Sequence, residues 1–181
     1  MIKERELLNK IEIEITIERL CQQLIENHND FSNTVIVGVQ PRGTYLSKRI
    51  ISKLQSLISA TIIQNGNIDI SFYRDDLMRR DEPIVPEIMD MNLSVEGKNV
   101  VLIDDVLFTG RSIRSAIDAL MAFGRPKSVE LLTLIDRRFS RHLPIQPNYV
   151  GRTIDAIDSE RVIVEWEEIS GKDRILMVKS E

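Results

Sequence analysis

The sequence predicts an α/β fold in which a mostly parallel sheet is flanked by helices. Three apolar, β-branched runs carry this prediction: TVIVGV at 34–39, NVVLI at 99–103 and VELLTLI at 129–135. Runs without polar alternation are typical of strands buried on both faces, as in a parallel sheet. Helical periodicity separates one run from the next, and strands that alternate with helices define the α/β class.

The composition limits the class of protein. The chain has 181 residues, a formal net charge of -4 and 43% hydrophobic residues, which suits one globular domain. The mild acidity disfavours a dedicated nucleic-acid binder, since such proteins usually carry a net basic charge. The single cysteine, Cys21, excludes an internal disulfide and a thiolate zinc cluster. The chain shows neither a long apolar run nor a signal peptide, so we expect a cytoplasmic protein with no membrane span.

The first elements are predicted from periodicity. Ile11, Ile13 and Ile15 alternate with glutamates, which predicts a short strand. An apolar stripe that starts at Ile17 then predicts an amphipathic helix with Thr16 as its N-cap.

Further elements are predicted along the rest of the chain. Helical periodicity covers 46–58 and 113–123, and Gly and Pro follow the second of these segments. The segment IDISFY at 68–73 alternates apolar and polar residues, which predicts a more exposed strand. Two apolar runs, at 162–166 and 175–178, predict short strands of a small lobe beside the sheet.

One long segment lacks regular periodicity. Residues 74–98 contain many charges and two prolines, and so long a loop in a compact domain is usually a functional flap or a disordered segment. We expect a flexible arm there. The whole chain, 1–181, is predicted to be one domain with a core at about 16–136 and a small hood lobe that includes 137–181.

The window VVLIDDVLFTGRSIRSA, residues 100–116, carries the chemistry. It joins a buried strand, two adjacent carboxylates, a Thr-Gly-x-Ser loop and a helix. Ligands of open parallel sheets bind beyond the carboxyl ends of the strands, so Asp104 and Asp105 are expected beside a substrate. The loop that follows offers backbone N–H groups, hydroxyls and the positive end of a helix, which together predict a phosphate site. A phosphorylated ribose suits both features, because its phosphate would bind the loop and its hydroxyls, or a Mg²⁺ bound to it, would contact the two carboxylates.

Other interpretations of this window fit the sequence less well. An Asp-Asp turn that only caps the helix does not require strand, acid pair, Thr-Gly-x-Ser and helix in this order. The acidic pocket of a receiver domain normally follows the first strand of its fold, whereas Asp104 is in the middle of the chain. A Walker loop would need Gly-Lys-Ser/Thr, and Gly38 and Gly43 lack the spacing of a dinucleotide fingerprint.

Five blocks in order extend the pattern over most of the chain. The window resembles the 5-phosphoribosyl-1-pyrophosphate (PRPP) motif of phosphoribosyltransferases, and the five blocks together are similar to the pyrimidine operon attenuator and uracil phosphoribosyltransferase family. The blocks are VGVQPRGTYLSKRI (37–50), DISFYRDDL (69–77), VLIDDVLFTGRSIRSAIDAL (101–120), FGRPKSVELLTLIDR (123–137) and LPIQPNYVGR (143–152).

The resemblance implies a role for each matched residue. It assigns Asp104 and Asp105 to the ribose hydroxyls, with Mg²⁺ bound to PRPP. It assigns to the 5-phosphate the loop residues Phe108, Thr109, Gly110, Arg111 and Ser112, and to pyrophosphate the turn residues Gln40, Pro41, Arg42 and Gly43. Asp104 and Asp105 are also the candidate ligands of the metal. A guanidinium such as that of Arg42 suits pyrophosphate because it donates two hydrogen bonds; a solvated loop cation is the alternative.

The arm is similar to the flexible loop of this fold that closes over bound PRPP. Closure would exclude water from an oxocarbenium-like transition state. The candidate contacts in the arm are Arg74, Asp75, Arg79 and Arg80. Because acidic and basic residues alternate there, a solvated loop is the alternative for each of them.

The residue before Thr-Gly bears on which base is transferred. Purine transferases of this superfamily commonly place a carboxylate there as a general base, whereas this chain has Phe108. The resemblance therefore implies uracil as the acceptor and UMP as the product. It also implies that Asp136, Arg137 and the region of Val162 line the pyrimidine.

Some members of the family bind a messenger RNA leader and act as attenuators, and this chain departs from them in two places. The family commonly has Asp-Arg-Gly-His-Arg after the third buried strand, whereas residues 136–142 are one residue longer and lack Gly-His. Gln22 and Asn27 replace basic or imidazole positions of the first helix. We therefore expect mainly an enzyme, a homodimer or larger oligomer, with RNA binding as the alternative. The remaining basic patch would comprise Arg137, Arg138, Arg141, His142 and Arg152.

Overall fold

A computed structural model describes residues 3–58, 62–75, 93–157 and 159–179. Its helices and strands, in chain order, are β1 (Lys3–Leu8), α1 (Lys10–His28), β2 (Thr34–Val39), α2 (Gly43–Leu57), β3 (Gln64–Ile68), β4 (Asn99–Leu107), α3 (Arg111–Leu120), β5 (Ser128–Arg138), β6 (Tyr149–Asp155), β7 (Glu160–Glu165), α4 (Glu167–Ser170) and β8 (Arg174–Lys179). Within the described ranges, no helix is both long and apolar enough to cross a membrane.

Five strands form one parallel sheet in the order β3-β2-β4-β5-β6, which confirms the predicted α/β class. The three apolar runs are its central strands, and apolar side chains pack on both of its faces. The chain moves from β2 outward to β3 and then returns to place β4 on the other side of β2. That reversal opens a crevice at the carboxyl ends of β2 and β4, where ligands of such sheets bind.

The first helix is longer than predicted, and the predicted strand at 11–15 is wrong. Helix α1 begins at Lys10 because the Asn9 side chain accepts a hydrogen bond from the Glu12 backbone N–H, while the Glu12 carboxylate accepts one from the Asn9 N–H. Ile11 and Ile15 are exposed on this helix, whereas Ile13 is buried. Of residues 11–15 only Ile13 faces the core, so the alternation of isoleucine and glutamate does not mark a buried and an exposed face.

The third strand ends earlier than predicted. Residues 64–68 form β3, whereas 71–73 form a short 3₁₀ turn, so the strand predicted at 68–73 is wrong. The Asp69 carboxylate accepts a hydrogen bond from the Ser71 N–H at 2.8 Å, an Asx turn that ends the extended backbone.

A second sheet of three antiparallel strands, in the order β1-β8-β7, forms the hood beside the parallel sheet. Strands β7 and β8 were predicted, but β1 was not. The predicted lobe boundary at 137 needs correction, because β6 (149–155) pairs with β5 and belongs to the parallel sheet. Arg49 of α2 connects this helix to the hood. Its guanidinium forms an ion pair with Asp173 at 2.8 Å and lies 4.6 Å from the centre of the buried Trp166 ring.

Candidate active site

The acid pair lies at the end of β4, in the crevice. Asp104 is half-buried and Asp105 is 6% exposed. The backbone N–H of Asp105 donates to Asp104 Oδ1 at 3.0 Å. Among the described residues, no hydrogen-bond donor reaches the buried Oδ2 of Asp105. A buried carboxylate oxygen without a donor is costly, so this oxygen is suited to a ligand that brings a hydroxyl or a cation.

Burial disfavours the ionised form of both carboxyl groups. Burial raises the pKa of Asp104 well above its ordinary value, and repulsion from Asp105 adds to the effect. Burial also raises the pKa of Asp105, to about 6, although the positive charge of Arg42 acts in the opposite direction. A bound cation or hydroxyl donor would lower both pKa values by stabilising the carboxylates.

The phosphate loop follows directly. Gly110 has a φ of 88° and is the N-cap residue of α3, and no side chain caps that helix. The positive φ explains the glycine. In the described part of the chain, the N–H groups of Thr109, Gly110 and Ser112 have no hydrogen-bond acceptor. These unsatisfied donors, with the positive end of the helix dipole, are suited to bind an anion.

The turn from Gln40 to Gly43 lies against the acid pair. Helix α2 begins at Gly43, and a Cβ there would collide with the Ile103 carbonyl oxygen and come within 3.3 Å of Asp104 Oδ1. Glycine is therefore required for the turn to approach the end of β4. The Gln40–Pro41 peptide bond is cis, and the Thr44 hydroxyl donates to the Pro41 carbonyl at 2.7 Å. The sites predicted for ribose and for pyrophosphate are thus neighbours.

A cavity of about 600 Å³ is lined by eight of the predicted site residues, but Asp105 and the turn from Gln40 to Gly43 are not among its lining residues. It is lined by Arg74, Asp75, Asp104, Val106, Leu107, Phe108, Thr109, Gly110, Arg111, Ser112, Ile113, Ser115 and His142. The start of the arm is fixed to this cavity, because Asp75 forms an ion pair with Arg111 and the Ser115 hydroxyl donates to the Tyr73 carbonyl at 2.9 Å. The other two arm residues, Arg79 and Arg80, lie outside the described residues.

The residues predicted to read the base are not among those lining this cavity. The Asp136 carboxylate forms an ion pair with Arg141. The Arg137 guanidinium lies 3.9 Å from the centre of the Phe108 ring and donates to the Ile157 carbonyl at 3.2 Å. Val162 is partly buried on β7 and packs against the main core. Their role in base recognition stays a prediction.

The candidate basic patch does not form one free surface. Arg137 is buried, and Arg141 is engaged by Asp136. Arg138 forms an ion pair with Asp155 at 2.7 Å, and Arg152 donates to the Leu7 carbonyl at 2.6 Å. Four of the five predicted basic residues therefore donate to acceptors within the protein, and a phosphate would have to compete with those acceptors.

The acid pair fits Mg²⁺ that arrives with a substrate. Within the described ranges, no group of three or more acidic, His or Cys side chains could hold a metal ion. Mg²⁺ is usually held by one or two carboxylates together with substrate oxygens and waters, and does not require a cage made only of protein groups. Asp104 and Asp105 can supply those carboxylates, since Asp105 Oδ2 is available.

The crevice, the acid pair, the open N-terminus of α3 and the glycine turn together suit a phosphorylated sugar. Residues 4–168 match the model of the phosphoribosyl transferase domain. The chain therefore belongs to the phosphoribosyl transferase family.

Similar proteins extend over nearly the whole chain. It is 39% identical to the Bifunctional protein PyrR of Enterococcus faecalis, and 97% of each chain is covered. It is 41% identical to that of Microcystis aeruginosa, with 96% of this chain and 97% of the relative covered. The hypoxanthine phosphoribosyltransferase of Trypanosoma cruzi has a TM-score of 0.73 at 17% identity, with 98% and 97% covered. The latter likeness shows the fold alone.

Two residues at the site were missed by the sequence prediction. His142 lines the cavity, and Arg141 contacts the phosphate loop through the carbonyl of Phe108. Both had been considered only as members of a basic patch. The signal was the departure of residues 136–142 from the family pattern, which identified the loop but not its contact with Phe108.

Proposed function

We propose that this protein transfers the phosphoribosyl group of PRPP to uracil, forming UMP and pyrophosphate. The observation that carries the proposal is the meeting of three features in one crevice: the acid pair, the open N-terminus of α3 and the Gln40–Gly43 turn. A molecule with a 5-phosphate, adjacent ribose hydroxyls and a pyrophosphate has one group for each feature. The names of the relatives in the PyrR group agree with a role in pyrimidine metabolism.

In this proposal the protein acts by positioning and by electrostatics. The N–H groups of the phosphate loop bind the 5-phosphate, and the carboxylates of Asp104 and Asp105 accept hydrogen bonds from the ribose hydroxyls. Arg42 stabilises the negative charge that develops on pyrophosphate as its bond to the anomeric carbon breaks. Uracil N1 forms the new bond to that carbon and gives up its proton to the departing pyrophosphate. Residues Arg74 and Asp75, at the start of the arm, border the cavity and help exclude water.

The family generally uses Mg²⁺ with PRPP, and we propose that Asp104 and Asp105 hold it here. Its positive charge would offset the repulsion between the two carboxylates and help bind pyrophosphate. In the free protein the pKa of Asp105 is raised to about 6, so binding of the metal should release protons at about pH 6 and below.

Uracil is favoured over a purine by the residue before Thr-Gly. Phe108 has no group that could take a proton from a purine ring, and its ring lies against the Arg137 guanidinium. The solved structures of similar fold include hypoxanthine transferases, but at identities of 17% and 21% they bear on the fold alone.

An assay with labelled uracil, PRPP and Mg²⁺ tests the proposal, with hypoxanthine and guanine as competing acceptors. We expect UMP as the product and no effect of the purines. Failure to form UMP, or preferential formation of a purine nucleotide, would reject uracil transfer. Full activity after Asp104→Asn with Asp105→Asn would reject the proposed site.

A second candidate function is binding of a messenger RNA leader in response to UMP. It is favoured by the relatives named Bifunctional protein PyrR, which are 36–41% identical over almost the whole chain. Filter binding to the leader of a pyrimidine operon, with a shuffled transcript as control, tests it. Tight binding to the leader alone, strengthened by UMP, would support this function. Equal binding to both transcripts would reject it.

A further inference from the structure

The carbonyl groups of the phosphate loop are held from one side by the loop that follows β5. Arg141 donates to the Phe108 carbonyl through Nη1. The Thr109 carbonyl accepts from the backbone N–H groups of His142 at 3.0 Å and Leu143 at 3.2 Å. These contacts join segments that are more than thirty residues apart in sequence. Residues 141–143 therefore fix the orientation of two consecutive peptide groups in the phosphate loop.

The orientation of those peptides decides where their N–H groups point. In a trans peptide the C=O and N–H bonds point in opposite directions. The Phe108 carbonyl shares its peptide with the Thr109 N–H, and the Thr109 carbonyl shares its peptide with the Gly110 N–H. When both carbonyls point toward residues 141–143, both N–H groups point away from that loop. Those N–H groups are two of the three donors described above as lacking an acceptor.

Arg141 is itself held in place by Asp136. Its Nη2 donates to Asp136 Oδ1 while Nη1 reaches the Phe108 carbonyl. The side chains of Arg141 and Asp136 are only 22% and 14% exposed, so water competes weakly for these bonds. One planar guanidinium thus links the end of β5 to the phosphate loop. A lysine could make either bond but lacks the fork that makes both at once.

We infer that Arg141 is a positioning residue that orients the Thr109 N–H group toward the 5-phosphate of the substrate, beside the Gly110 N–H group, whose peptide is held by the backbone of His142 and Leu143. The inference rests on the proposed phosphoribosyl site but does not depend on which base is transferred. Arg141 holds the loop in the conformation that binds phosphate before the ligand arrives. The loop then loses its conformational entropy on folding and not on binding, so phosphate binds more tightly.

The same contacts give Asp136 a role that differs from the one predicted for it. As an anchor for Arg141, Asp136 affects binding of the phosphate. As a residue that lines the base, it would affect binding of uracil. Measuring the KM of each substrate in the Asp136→Asn variant separates these roles.

Steady-state kinetics of Arg141→Met, Arg141→Lys and Asp136→Asn provide the first test. We expect the KM for PRPP to rise about tenfold in Arg141→Met, with a smaller rise in Arg141→Lys, as for loss of one charge-assisted hydrogen bond. The KM for uracil should stay unchanged in all three. A KM for PRPP equal to that of the wild type, or a rise confined to the KM for uracil, would overturn the inference.

The matched control is Arg138→Met. It removes the same charge three residues earlier, at the last residue of β5, but Arg138 contacts Asp155 and the Phe139 ring and not the phosphate loop. Its KM for PRPP should equal that of the wild type. An equal rise in Arg138→Met and Arg141→Met would mean that general charge loss explains the effect and would overturn the positioning role.

A binding experiment keeps the inference testable if no UMP is formed. Titration of ¹⁵N-labelled protein with ribose 5-phosphate should shift the Thr109 and Gly110 amide resonances in the wild type and in Arg138→Met. In Arg141→Met these shifts should require about tenfold more ligand. Equal titration curves for Arg141→Met and the wild type would contradict the inference. Failure of uracil transfer alone would leave this result intact and would reject only the proposed reaction.

Discussion

Among the described residues, buried polar groups are paired at one end of the parallel strands and unpaired at the other. We call the two ends the amino edge, where the strands begin, and the carboxyl edge, where they end. At the amino edge, His28, Thr34, Glu130 and Tyr149 satisfy one another. The Tyr149 hydroxyl donates to the Glu130 carboxylate at 2.6 Å, and the two nitrogens of the His28 ring lie 3.1 Å from the Thr34 hydroxyl and 3.2 Å from the Glu130 carboxylate. Burial and the Glu130 charge raise the pKa of Tyr149, so the tyrosine stays protonated as a donor.

At the carboxyl edge, corresponding groups are left without partners. Within the described ranges, Asp105 Oδ2 and three N–H groups of the phosphate loop have no hydrogen-bond partner. Both edges belong to one parallel sheet, so the sheet architecture alone does not cause the difference. Polar groups that satisfy each other stabilise the fold, whereas convergent groups without partners mark the place where a ligand completes the structure.

The largest expected effect is on activity. Replacing both carboxylates of the carboxyl edge, as Asp104→Asn with Asp105→Asn, should lower kcat/KM for PRPP by about 1,000-fold or more, because the proposed hydrogen bonds to the ribose and the proposed metal ligands are lost. Formation of UMP from labelled uracil measures the effect. The matched amino-edge variant, Tyr149→Phe, should keep the wild-type kcat/KM. Similar losses in the two variants would remove the functional distinction between the edges.

The next effect concerns stability and its dependence on pH. The pKa of Asp105 is about 6 in the folded protein, above the ordinary 3.8, so its ionisation costs more in the folded state than in the unfolded state. Its contribution to stability should therefore fall as the pH rises from about 4 through 6, by roughly 3 kcal/mol in total. The Asp105→Asn variant should lack this loss. Urea unfolding of both proteins across the range measures the difference, and parallel curves would contradict it.

The smallest effect is expected at the amino edge. Tyr149→Phe removes the hydroxyl that donates to Glu130, which should lower the free energy of unfolding by about 1 kcal/mol. Urea unfolding near pH 7 provides the measurement, with the UMP assay as the control for function. An unchanged or increased stability would show that the amino-edge cluster does not stabilise the fold.

The central strands and the site window were predictable because their signals are local in sequence. Strands β2, β4 and β5 are buried on both faces and therefore read as continuous apolar runs. The outermost strand, β6, was not predicted because only part of it is buried. The start of α1 was missed because Ile11 and Ile15 are exposed, which breaks the apolar stripe. The Arg141 contact depends on how two distant loops pack, which no local pattern records.

Stabilisation by PRPP tests most directly whether a ligand completes the carboxyl edge. The free energy of unfolding would be measured by urea at about pH 8, with and without PRPP and Mg²⁺, for the wild type and for the double variant Asp104→Asn with Asp105→Asn. At a PRPP concentration about 100 times the Kd, the wild type should gain roughly 2.7 kcal/mol, and the double variant should gain much less. An equal gain in both proteins, or no gain in the wild type, would contradict the assignment of this edge to PRPP.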